Sequence, residues 1–121
     1  MERLTAPNLA ITKIYRKTND ENYLIQEGNY YVRSILYYVE SYLMNYVNDV
    51  VEDYYVAFED KELRKKLASI KCPEMQFNRP TIRELFQALF DVADLVFTLE
   101  IDTSSKNRYL ITGLDGDPAS K

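Results

Sequence analysis

The sequence predicts a mainly α-helical domain, small and organised around one long central helix. Two stretches carry that expectation. Residues 29–59 (NYYVRSILYYVESYLMNYVNDVVEDYYVAFE) contain no Gly or Pro and hold eight of the chain's eleven tyrosines. Wound as an α-helix, they would span about 45 Å. The winding gathers Val32, Ile35, Leu36, Val39, Tyr42, Leu43, Tyr46, Val50, Tyr54 and Ala57 into one apolar stripe. Residues 82–98 form the second helix. They open on Thr81-Ile82-Arg83-Glu84, the capping-box pattern, and align Ile82, Leu85, Phe86, Leu89, Val92, Ala93 and Val96 on one face.

The rest of the chain is arranged around these two. Residues 1–7 are a lead-in ending at Pro7. Leu9, Ile11, Ile14 and Tyr15 fit a short helix capped by Asn8, with a small hairpin over 10–26 as the alternative. Gly28-Asn29 punctuates the start of the long helix, with Asn29 as its N-cap. Leu63, Leu67 and Ile70 fall out of phase with the long stripe, which places a break at Glu59-Asp60. Asp60 then caps a short basic helix over 61–71, stopped by Pro73. Residues 72–80 connect it to the 82–98 helix. Phe97, Leu99 and Ile101 alternate with polar neighbours, a turn follows at 103–107, and Tyr109-Leu110-Ile111 allow a short terminal hairpin. The expected organisation is one helical domain, 1–112, and a flexible tail, 113–121.

Composition narrows the chemistry. A chain of 121 residues, 46% apolar and 28% charged, suits a single globular core. It has no apolar run long enough for a membrane span, and MERLTAPNLA lacks a hydrophobic signal region. The single cysteine, Cys72, fits a reducing compartment, so the expected location is cytoplasmic. There is no histidine, and the three glycines are scattered or terminal. That removes the commonest general base, thiolate zinc sites within one chain, and phosphate-cradling loops. Cys72, without a histidine partner, reads as a packing residue. The pairs Asp49/Asp53 and Asp91/Asp94 read as solvated acids rather than Mg²⁺ ligands. Asp53 lies within the stripe, so its burial would require a base such as Arg33. No catalytic residue, metal or cofactor is expected, and the chain is read as non-enzymatic.

Function is therefore sought on surfaces. Tyr37, Met44, Val51 and Tyr55 form a second row on the far side of the long helix. They are core if neighbours cover that helix, and a partner interface if they do not. The leading expectation is a protein-interaction module that forms a homodimer or docks a protein partner through this row. A second reading assigns Lys61, Arg64, Lys65, Lys66 and Lys71 to nucleic-acid contact, joined by Lys13, Arg16 and Lys17. A third starts from charge: residues 34–60 carry Glu40, Asp49, Glu52, Asp53, Glu59 and Asp60 with no base, within a net charge of −4. An acidic aromatic helix of that kind could mimic nucleic acid towards a basic partner.

Overall fold

Residues 29–59 do not form one helix. In the computed structural model, which describes residues 4–115, the chain is 34% helix and 33% strand. Its strands form three small sheets. The mainly α, all-helical expectation is thus corrected to an α/β fold, and each departure has a local cause.

The first lies at residues 9–33. Leu9–Ile11 (β1) pairs antiparallel with Met75–Phe77 (β5), where a helix was expected. Leu24–Glu27 (β2) and Tyr30–Arg33 (β3) form a hairpin, so Tyr30 to Arg33 leave the predicted helix. Gly28 takes φ 64° while Asn29 keeps a negative φ, the pattern of a two-residue type II′ turn. Gly-Asn therefore reverses the chain here and does not cap a helix. Aromatic and β-branched residues on both sides favour the pleated surface.

Helical backbone begins only at Ile35 and ends at Val50. Its first part, Tyr37–Met44, is a π-helix, which runs into the α-helical Asn45–Val50 (α1). Ile35, Val39, Leu43 and Val47 are all completely buried. A step of four overshoots the α-helical turn of 3.6 residues, so this row would rotate off the core in a regular α-helix. The wider π turns hold it in line. A 3.6-residue wheel therefore misassigns three positions of this segment: it omits Tyr38 and Val47 from the core and includes Val50, which is exposed.

Val51 is extended, and Glu52-Asp53 form a turn. Asp53 is consequently exposed and needs no buried partner. Tyr55–Ala57 follow as a strand (β4). Asp60 caps Lys61–Ala68 (α2), its Oδ1 accepting from the Leu63 amide at 3.0 Å. Leu63 and Leu67 face the core.

Ile82–Val92 (α3) opens with the full capping box. The Glu84 amide donates to Thr81 Oγ1 at 3.1 Å, and the Thr81 amide donates to Glu84 Oε2 at 3.3 Å. The helix stops at Val92, short of Thr98, and Asp94 with φ 57° turns the chain back. Leu95–Ile101 (β6) then pairs antiparallel with Arg108–Asp115 (β7), and β4 adds to β7 in parallel, giving the order β4-β7-β6. Residues 113–115, placed in a flexible tail by the sequence, pair with the start of β6; 116–121 lie outside the described residues.

Helices α2 and α3 close on one face of this sheet. Phe97 stacks on Phe86 at 4.5 Å between centroids and meets Phe90 edge-on at 5.3 Å. A Cβ at Gly113 would lie 3.3 Å from Phe90 Cε2 and 3.6 Å from Leu63 and Leu95. The bare glycine backbone is what lets both helices approach β7 so closely. Among the described residues no helix is long and apolar enough to cross a membrane.

Thr81→Ala removes the side-chain acceptor for the Glu84 amide and should cost about 1 kcal/mol. Urea denaturation checks this; coincident midpoints for parent and variant would show that the box does not anchor α3.

Candidate interaction surface

The row expected to form an interface is divided by the fold. Tyr37 sits in an aromatic cluster, with Tyr23 edge-on at 5.5 Å, Tyr38 at 4.8 Å, and the Arg33 guanidinium 4.5 Å from its ring. Met44 and Val51 pack against the core. Only Tyr55, on β4, remains largely open at 51% exposure. The π turns and the break at Val51 destroy the common helical face that the spacing implied.

A polar network ties the hairpin to the helices. Arg33 Nε donates to Asp20 Oδ2 at 2.5 Å, and Thr18 Oγ1 also donates to Asp20. Burial pushes the Asp20 pKa up, but the hydrogen bonds from Thr18 and Arg33 outweigh it and the net shift is downward. Glu40 accepts from Tyr23 Oη at 2.9 Å and from Arg64 Nε at 2.8 Å. Burial, then the bond to Glu40, pushes the Tyr23 phenol up.

This network also reorganises the basic residues. Arg64 is committed to Glu40, Lys71 pairs with Glu27 at 3.5 Å, Lys13 with Glu74 at 3.8 Å, and Lys17 with Glu21 at 3.3 Å. Lys61, Lys65 and Lys66 stay exposed on α2. The acidic run is dispersed too, with Glu40 facing Arg64, Glu59 bonded to Arg108 at 2.6 Å, and Asp60 capping α2.

The Cys72 thiol is buried, and that burial pushes its pKa up to about 12, so it stays protonated near neutral pH. Among the described residues no three His, Cys, Asp or Glu side chains cluster as a metal site would need. An open depression between β1 and β5 is lined by Ala10, Ile11, Thr12, Glu74, Met75 and Gln76, and its one carboxylate, Glu74, is paired with Lys13.

What the fold does build is an asymmetric pair of sheet edges. On β4, the Asn48 carboxamide accepts from the Val56 amide at 2.8 Å and donates to the Val56 carbonyl at 2.9 Å. It occupies both backbone groups that Val56 turns outward. On β6, the Gln87 carboxamide does the same across two residues, accepting from the Phe97 amide at 3.1 Å and donating to the Leu95 carbonyl at 3.3 Å. Register settles the remaining groups. Just past β6, the Asp102 backbone amide donates to the Arg108 carbonyl at 2.9 Å, so even-numbered residues of this strand exchange bonds with β7. Leu95, Phe97, Leu99 and Ile101 therefore direct their backbone groups to the outer edge. Gln87 satisfies the first half of that edge only. The Leu95 amide, the Phe97 carbonyl and both backbone groups of Leu99 and Ile101 have no partner among the described residues.

Apolar side chains adjoin this open segment. Ile101 is 74% exposed, and the cross-strand pair Val96 and Leu114 lies on the outer face of the sheet, Leu114 at 59%. Tyr55 reaches the same face from β4. The alternation of Phe97, Leu99 and Ile101 marks the strand in the sequence. Nothing there marks Asn48 or Gln87 as edge covers, because each acts on backbone brought to it by tertiary packing.

Gln87→Ala should cost about 1 kcal/mol, since it strips partners from the Leu95 carbonyl and the Phe97 amide; an unchanged urea midpoint would show that water replaces the carboxamide freely. Asp20 makes a pH prediction. Its folded pKa lies below the ordinary 3.8, so its contribution is present above that value and is lost as pH falls through the folded pKa. Asp20→Asn should flatten the fall of stability below pH 3.8, and an acid limb identical to the parent's would contradict the assignment. Compared with protein-family models, curated proteins and solved structures, the chain matches none of them.

Proposed function

We propose that the protein is a non-enzymatic protein-interaction module that accepts an extended strand at the open edge of β6. The observation that carries this reading is the half-covered edge. Side-chain carboxamides hold the outward groups of Val56 on β4, and the Leu95 carbonyl and Phe97 amide on β6. The segment from Phe97 to Ile101 presents donors and acceptors that have no partner among the described residues, beside exposed apolar side chains. An added strand would gain affinity from the backbone bonds and selectivity from Ile101, Val96 and Leu114. Tyr55, one member of the row expected on the long helix, borders the same surface. The lone protonated thiol of Cys72 supports placing this activity in a reducing compartment such as the cytoplasm.

Nucleic-acid binding through α2 is the second reading, favoured by the exposed Lys61, Lys65 and Lys66. It is weakened by the ion pairs that occupy Arg64 and Lys71.

Selection of linear peptides displayed on phage against the immobilised protein tests the leading reading. Enriched peptides should alternate apolar and polar residues, and Ile101→Pro should weaken their binding about tenfold or more. Binding that survives Ile101→Pro would remove the edge from the mechanism. Salt-sensitive binding of a single-stranded oligonucleotide that disappears in Lys65→Glu with Lys66→Glu would support the second reading in its place.

A further inference from the structure

We propose that the open segment of β6 pairs antiparallel with the same segment of a second copy of this chain, about a twofold axis at Leu99. The inference rests on the reading of the β6 edge as a docking site and names its occupant. Beyond the groups held by Gln87, each chain offers two donors, the Leu99 and Ile101 amides, and three acceptors, the Phe97, Leu99 and Ile101 carbonyls. With the axis at Leu99, the two Leu99 residues exchange both their bonds, and each Ile101 amide meets the Phe97 carbonyl of the other chain. The Leu99 and Ile101 amides and the Phe97 and Leu99 carbonyls are then all partnered, while the Ile101 carbonyl faces the Phe97 amide that Gln87 holds and stays open to water.

The neighbouring registers do worse. An axis at Thr98 would bring both groups that Gln87 holds, the Phe97 amide and the Leu95 carbonyl, into the seam, leaving the Leu99 carbonyl and the Ile101 amide opposite groups already bonded. An axis at Glu100 would make as many bonds, with the Ile101 carbonyl as acceptor in place of the Phe97 carbonyl, but would place the two Glu100 carboxylates directly opposite in a non-hydrogen-bonded pair. Side chains stand closest in such pairs, and like charges there repel. The Leu99 axis sets Glu100 across from Thr98 instead. Gln87 thus acts as a stop at one end of the segment. At the other, the strand ends at Ile101 and Asp102 bonds back to Arg108.

The area involved sets the strength. A pairing this short, even with Ile101 covered, falls below the roughly 1,200 Å² of total buried surface that marks stable complexes. The pairing belongs with weak, reversible contacts, with a dissociation constant of about micromolar or above. In the joined sheet, each Ile101 would lie across from Phe97 of the other chain and lose much of its exposure.

Sedimentation equilibrium of the full chain from about 1 μM to about 1 mM should show a monomer–dimer equilibrium. Ile101→Pro removes an amide that has no partner among the described residues, at an exposed edge position where proline is tolerated. It should weaken the dimer about tenfold or more with an unchanged circular-dichroism spectrum. A dimer indifferent to this substitution overturns the proposal.

Register is tested by mixing chains that carry Thr98→Cys with mass-tagged chains that carry Glu100→Cys, then oxidising. The mixed disulfide should dominate, whereas a preference for either symmetric disulfide overturns the Leu99 axis. A parent chain that stays monomeric throughout the concentration range overturns self-pairing itself. In that event a synthetic peptide of residues 96–102 (VFTLEID) separates the two claims. If it binds the parent and not Ile101→Pro, the edge remains a docking site for other strands; if it binds neither, the docking reading falls too.

Discussion

A short sheet has nearly as much edge as interior, and every backbone N–H and C=O on those edges needs a partner. In this protein the burden is acute, because each of its three sheets has only two or three strands. The solution is to place amide side chains where a further strand would lie. Asn48 at the end of the first helical segment serves β4, and Gln87 in the middle of α3 serves β6. Both helices must therefore hold a fixed position along the sheet, which couples helix placement to strand satisfaction. The coverage is complete on β4 and stops partway along β6, and the functional reading follows from that difference.

The same coupling explains the π-helix. The segment from Ile35 to Val50 has to bury residues spaced four apart and still deliver Asn48 to β4. A regular α-helix would rotate one of these away from its target. Widened turns from Tyr37 to Met44 reconcile both demands. Glu40, within those turns, receives Tyr23 from the hairpin side and Arg64 from α2. Charges that look segregated along the chain are brought together in space, leaving α2 with three exposed lysines and the acidic run without a common face.

Core packing and surface chemistry meet at β6. Its Phe97 ring stacks on Phe86 and meets Phe90 edge-on at the inner face, while its backbone carbonyl points out of the edge. The strand is thus held rigidly at its start and is open towards Ile101. A docking strand would meet a preformed edge and would not have to order it first.

Local signals in the sequence determined local structure. Asp60 and Thr81 cap the helices they announce, and the starts of α2 and α3 lie where their apolar spacing puts them, although α2 ends at Ala68 and leaves Ile70 outside the helix expected over 61–71; a cap or a helical face is decided within a few residues. The Gly28-Asn29 turn was equally local, and its hairpin chemistry was overshadowed by the long tyrosine-rich run that follows. Tertiary structure alone decided where that run breaks. Residues such as Tyr31, Val51 and Tyr55 suit a helix wheel and a strand about equally, and pairing with distant partners chose between them: Ile14 opposite Tyr31, Arg108 opposite Tyr55. The open edge was invisible for the same reason. Whether a backbone group is free depends on what packs beside it in space, and Gln87 reaches β6 only because α3 folds back along it.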